Sequence, residues 1–229
     1  MDSETGRSGR RKLTAFVLPM AIFLALLAAA NFLRGMGQGF WLTAPEYWIY
    51  PVQTFICGGL LIWLWREYQF RQPVRIVFTV ALGLLVFACW IAPQQFFGVA
   101  PRVVGFNPDV FVGEPGYWPT VILRFLRLVL IVPFVEEIFW RGFFLRYLID
   151  EEFRRVPVGK FSWLSFVVVT LGFGFSHAPA DWMAALLTGV LYNWVAYQTK
   201  SLASCVLAHA VTNLLLGLWI MKTQQWGFW

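Results

Sequence analysis

Apolar residues run along this chain in long blocks, separated by short polar or basic stretches. Seven blocks stand out, at about Leu13–Leu33, Trp48–Trp65, Val74–Ala92, Thr120–Ile149, Phe161–Ser176, Trp182–Tyr197 and Leu202–Met221. A helix that crosses a bilayer needs about 20 mainly apolar residues. The pattern therefore predicts an all-α fold, a polytopic transmembrane helix bundle of about seven spans. The longest interruption, Pro93 to Pro119 ("PQQFFGVAPRVVGFNPDVFVGEPGYWP"), is rich in Pro and Gly and reads as a loop, neither a span nor a domain of its own. The organisation that follows is a disordered basic start (1–12), three spans with the long loop (13–118), a core (119–221) and a short C-terminal tail (222–229). No internal repeat and no low-complexity tract is present.

Charge gives this pattern a direction. Arg7, Arg10, Arg11 and Lys12 precede the first block, Arg66, Arg71 and Arg75 lie between the second and third, and Arg146, Arg154, Arg155 and Lys160 follow the fourth. Lys200 precedes the last block, whereas the alternate loops hold only Arg34 and Arg102. Cytoplasmic loops carry the excess of Lys and Arg, so the N-terminus is expected in the cytoplasm and the tail outside. The first block also fits a cleaved signal peptide with "AAA" at 28–30. Its apolar stretch of about 18 residues exceeds the roughly 7–15 of a signal core, which favours a retained anchor.

Composition agrees. The chain is 59% hydrophobic and 13% charged, with 13 Trp and 23 Phe, where a soluble domain carries about 25% charged residues. The net charge of +6 reads as topology and lipid-headgroup contact rather than nucleic-acid binding, because no basic stripe is interleaved with aromatics. Cys57, Cys89 and Cys205 each fall inside an apolar block at spacings that match no metal motif, and are expected as buried thiols.

Against this background a few residues are out of place. Glu136, Glu137 and Arg141 lie in the fourth block, His177 ends the fifth, and His209 and Asn213 lie in the seventh; the chain has only these 2 histidines. Ionisable groups at bilayer depth are costly, face the bundle interior and mark function. Residues four apart share a helix face, so Glu137 and Arg141 are set to pair and His209 and Asn213 to point together. Glu136, about 100° away from Glu137, is left without a partner on its own helix. Singly, each residue has a plain reading: an ion-pair clamp, a satisfied polar group, or interhelical glue worth about 1 kcal/mol. Together they form the toolkit of peptide hydrolysis by an activated water. An unpartnered carboxylate at low dielectric can act as general base, one imidazole can hold the water, and a second imidazole with an amide can donate to the oxyanion. No Gly-x-Ser-x-Gly, His-Glu-x-x-His, paired intramembrane aspartates or nucleotide loop is present.

At these residues the sequence resembles the CAAX-protease and bacteriocin-processing (Abi) family of intramembrane proteases, related to type II CAAX prenyl endopeptidase. The family pattern reads here as "EEIFWR" (136–141), "FGFSH" (173–177) and "HAVTN" (209–213). The resemblance covers about residues 119–221 and makes that stretch a CAAX-protease-like catalytic core. It implies Glu136 as the water-activating carboxylate helped by His177, His209 and Asn213 as the oxyanion site, Glu137 and Arg141 as a supporting pair, and Phe173 packed beneath. It leaves two readings of the metal open. Glu136, His177 and His209 are a zinc-ligand set, while a glutamate–histidine water mechanism requires no cofactor, and the second is favoured.

The expected partners are membrane lipids and a peptide or protein substrate, lipidated where the host prenylates proteins, and no nucleic acid. The expected place is a bacterial cell membrane. The competing reading is a non-enzymatic membrane immunity or binding protein that keeps the protease fold. A simple register at about 1.5 Å per residue sets His177 further out than Glu136 and His209, so convergence calls for tilt or a late start of the fifth span, to which Gly172, Gly174 and Pro179 lend freedom.

Overall fold

The computed structural model describes the backbone of residues 2–68 and 70–229 and the side chains of residues 13–68 and 70–229. All regular structure among them is helical. In chain order the helices are α1 (Asp2–Arg34), α2 (Phe40–Thr43), α3 (Glu46–Trp63), α4 (Ile76–Phe96), α5 (Tyr117–Leu126), α6 (Val132–Glu137), α7 (Leu145–Tyr147), α8 (Trp163–Phe175), α9 (Trp182–Thr199) and α10 (Leu202–Thr223). Each of the seven apolar blocks falls on helix. Among the described residues three helical stretches, Leu13–Arg34, Ile76–Phe96 and Leu202–Thr223, are long and apolar enough to cross a membrane, and Trp163–Phe175 is a shorter apolar helix. The expected disordered start at 1–12 lies outside the residues whose side chains are described.

The fourth block is not the uniform α-helix that its spacing predicts. Arg127–Ile131 and Ile138–Phe144 widen to π-helix, on either side of the short α6 that carries both glutamates. Pro133 accounts for the first widening: it cannot donate to the carbonyl four residues back and its ring displaces that carbonyl. π-Turns inside α-helices are rare and recur at functional sites.

The chain divides into two compact units, Met1–Gln69 with Pro108–Val135, and Phe70–Asn107 with Glu136–Trp229. The division is interleaved along the chain, with α4 and the start of the long loop in the second unit. In the first unit α3 packs against α1, α5 and Arg127–Ile131. Pro19 lies within α1 and cannot donate to the Ala15 carbonyl; the Tyr68 hydroxyl donates to that carbonyl instead, at 3.0 Å. Gln53, fully buried, donates to the Phe23 carbonyl at 2.7 Å and accepts from Arg127, whose guanidinium lies over the Tyr50 ring at 4.2 Å.

The second unit is a bundle of α4, α8, α9 and α10 with residues 138–147. Lipid gives helices no hydrophobic drive to associate, so small residues and interhelical hydrogen bonds carry their packing. At Gly83 a Cβ would lie 2.7 Å from the Ala208 carbonyl oxygen of α10, and the Gly83 carbonyl accepts from Thr212 at 2.8 Å. At Gly189 of α9 a Cβ would lie 3.2 Å from the Thr170 carbonyl of α8. The Ser201 hydroxyl caps α10 by accepting from Ser204 N at 3.2 Å, and the Ser204 hydroxyl bonds both backbone groups of Val74, at 2.9 and 3.1 Å. The short tail at 222–229 packs back on the bundle. Trp226 is buried in a cluster with Leu216 and Ile220, packed on Phe87, Trp90 and Ile91.

Candidate active site

All the singled-out polar residues lie in the second unit. Glu137 and Arg141 form the ion pair that their spacing predicts, Arg141 Nη1 donating to Glu137 Oε1 at 3.0 Å with both side chains fully buried. The same Oε1 also takes His209 Nδ1 at 3.0 Å, so one carboxylate oxygen serves two basic groups on different helices. Two charges out of water survive only when their remaining donors and acceptors are met. Arg141 meets that condition through α9: its Nε donates to Asn193 Oδ1 at 3.0 Å and its Nη2 to the Gly189 carbonyl at 3.3 Å. Asn193 in turn donates to Thr170 Oγ1 at 3.1 Å.

Rings complete the enclosure. The Arg141 guanidinium lies over Phe173 at 4.8 Å and over Tyr192 at 5.5 Å. The Tyr192 ring stands 5.0 Å from that of His209, and its hydroxyl donates to Thr212 at 2.8 Å. Tyr192 is also within electrostatic reach of Glu136. Asn193, Tyr192, Thr170 and Thr212 carry no motif, and sequence reasoning passed over them. The available signal was a polar Asn within an otherwise apolar α9, four residues after Gly189 and so on the same face.

Glu136 lacks its neighbour's basic partners. Its Oε2, like that of Glu137, is buried and has no hydrogen-bond partner among the described residues, although Glu136 as a residue is only half-buried. His177 follows the end of α8, half-buried. Its Nδ1 meets the Phe173 carbonyl at 2.8 Å, and its ring is walled by Phe173 at 4.9 Å and by Trp90 of α4 at 5.8 Å. A carbonyl and a carboxylate can only accept, so both imidazoles hold a proton on Nδ1 and turn Nε2 the other way. Asn213, one turn beyond His209 on α10, is buried as well.

The structure thus joins Glu137, Arg141 and His209 directly. His177 is linked to them through the Phe173 ring, and no hydrogen bond among the described residues connects it to Glu136 or His209. A zinc site requires ligands about 2.0–2.3 Å from one ion. Among the described residues no group of three His, Cys, Asp or Glu side chains is close enough to hold a metal, so Glu136, His177 and His209 do not fit zinc as they stand.

A helical chain with membrane-length apolar helices and a buried carboxylate–imidazole cluster defines a class, the membrane proteins with polar groups at depth. Residues 118–215 match the model of a family described as Type II CAAX prenyl endopeptidase Rce1-like, so that stretch is similar to the CAAX-protease family of intramembrane proteases. It is accordingly an integral membrane protein. No curated protein and no solved structure matches the chain significantly.

Proposed function

We propose that the protein is an intramembrane endopeptidase in which Glu136 turns a water molecule into the nucleophile. The observation that carries this reading is the contrast between two adjacent carboxylates. Glu137 is paired with Arg141 and His209 through Oε1, whereas Glu136 has no basic partner among the described residues; the Oε2 of each carboxylate is buried and unmet. A structural role explains the first; a base waiting for a proton explains the second.

In the proposed step, Glu136 takes a proton from a water oriented by Nε2 of His177, and the water oxygen bonds to the carbonyl carbon of the scissile peptide. The resulting oxyanion receives hydrogen bonds from the Asn213 amide and from His209 Nε2–H. The Glu137 carboxylate at Nδ1 holds the His209 ring in place for this role. Collapse breaks the C–N bond, and the leaving amine takes the proton that Glu136 had accepted. Phe173 and Arg141 keep the two sides of the site in register. The route uses no metal.

The substrate is a membrane-associated protein or peptide, of CAAX type where the host prenylates proteins. The reading includes seven spans with a cytoplasmic N-terminus, in a bacterial cell membrane. Glu136→Gln keeps the shape and removes the base; it is expected to abolish cleavage of a farnesylated CAAX peptide while the melting temperature of the purified protein stays unchanged. Cleavage at the parent rate by that variant rules out Glu136 as the base.

A further inference from the structure

The turn that follows His177 is held from a part of the molecule that carries none of the motifs. The His177 carbonyl accepts from Trp182 Nε1 at 3.0 Å, and the short turn Pro179–Asp181 closes with Asp181 N donating to the Ala178 carbonyl at 2.8 Å. The Asp181 carboxylate receives both terminal nitrogens of Arg102, Nη1 on Oδ1 in a short contact and Nη2 on Oδ2 at 3.3 Å. Forked Arg–carboxylate pairs fix orientation as well as distance.

Arg102 is itself clamped by the end of the chain. Its backbone N–H donates to Gln225 Oε1 at 3.3 Å, its carbonyl accepts from Gly227 N at 2.8 Å, and its guanidinium lies 4.5 Å from the centre of the Phe228 ring. The two segments approach so closely that a Cβ at Gly105 would lie 2.2 Å from the Trp226 carbonyl oxygen, and one at Gly227 would lie 2.8 Å from Arg102 Cβ. A second connection runs in parallel: the buried Trp226 packs in a cluster with Trp90, and Trp90 walls the His177 ring. Trp90 is pinned by its own Nε1–H on Thr188 Oγ1 at 2.9 Å.

We propose that Arg102 is a positioning residue for His177, acting through Asp181 and locked by residues 225–228. This rests on the role given to His177 above. Arg102 touches no reacting atom; it sets where the imidazole at the end of α8 can stand. A displacement of about 1 Å at a catalytic group lowers rates by up to about a hundredfold, so the rate is expected to be the sensitive quantity rather than substrate affinity.

The test uses the full-length protein in lipid–detergent micelles, with histidine labelled by nitrogen-15. The chain has 2 histidines, so each imidazole is seen separately. In Arg102→Ala the His177 signals are expected to shift or broaden while those of His209 stay, which also shows that the fold persists. On a farnesylated CAAX peptide kcat is expected to fall at least about tenfold with KM changed less than about twofold. Exchanging the pair, Arg102→Asp with Asp181→Arg, is expected to recover much of both readouts. Unchanged His177 signals in Arg102→Ala, or the same loss in the exchanged pair as in the single variants, overturn the proposal. Parent-level cleavage by His177→Ala instead overturns the role of His177 itself, and with it the catalytic part of the proposal, while shifted nitrogen-15 signals in Arg102→Ala still support the positioning of the ring.

Discussion

Two neighbouring glutamates show how little of a residue's role lies in its type. Glu136 and Glu137 are separated by one peptide bond, yet Glu137 shares one oxygen between two basic side chains and Glu136 has no such partner among the described residues. The Glu137–Arg141 pairing was legible because it follows from four-residue spacing alone. The third member, His209, was legible as a polar intruder in an apolar block, but not as the partner of Glu137, since that contact joins residues 72 apart. Asn193 was not legible at all, because a single amide in a helix has no spacing to betray it. It now has a clear task. Asn193→Ala leaves Arg141 Nε and Thr170 Oγ1 facing nothing, and is expected to lower stability by about 1–3 kcal/mol, read as a fall in melting temperature or in denaturant midpoint. Asn193→Asp, which keeps an acceptor toward Arg141, is expected to lose less.

At the level of elements, the positions of helices were readable and their shapes were not. Apolar blocks place helix to within a few residues, as α9 at Trp182–Thr199 against a predicted 182–197 illustrates. The π segments flanking α6 leave no trace in hydropathy, because widening a turn by one residue changes no residue type. Only Pro133 hinted at a break. Close helix approach is another element-level property that hides in sequence: Gly83 is one glycine among 19, and only its neighbour across the bundle shows why it is bare. Gly83→Val places new carbon where the Ala208 carbonyl stands and strains the Thr212 hydrogen bond. It is expected to destabilise the bundle by about 1–3 kcal/mol, with Gly83→Ala intermediate, measured by thermal unfolding of the purified protein.

For the molecule as a whole, composition was enough to indicate membrane, and motif order was enough to indicate family. The interleaved division into two units was out of reach, because it depends on which helix faces meet rather than on where apolar blocks begin and end. The folding of residues 224–229 was hidden too, since a short aromatic-rich end reads equally well as loose until its partners, Arg102 and Trp90, are in place. The metal question also belongs at this scale. The proposed route draws its nucleophile from Glu136 alone, so dialysis against EDTA or 1,10-phenanthroline is expected to leave cleavage of a farnesylated CAAX peptide within about twofold of the untreated rate, a change of under about 0.5 kcal/mol in barrier. A loss that added zinc restores would redirect the mechanism to a metal.

The oxygen that Glu137 lends to both Arg141 and His209 has a practical corollary for anyone who would redesign this protein. The two cannot be edited as separate parts. Replacing Arg141 loosens the anchor of an imidazole on another helix, and replacing His209 leaves a guanidinium holding a carboxylate with fewer constraints. A double-mutant cycle across positions 141 and 209 should therefore depart from additivity by about 0.5–3 kcal/mol. Any scheme that tunes the acidity of one imidazole for a new substrate has to rebuild the cation next door at the same time.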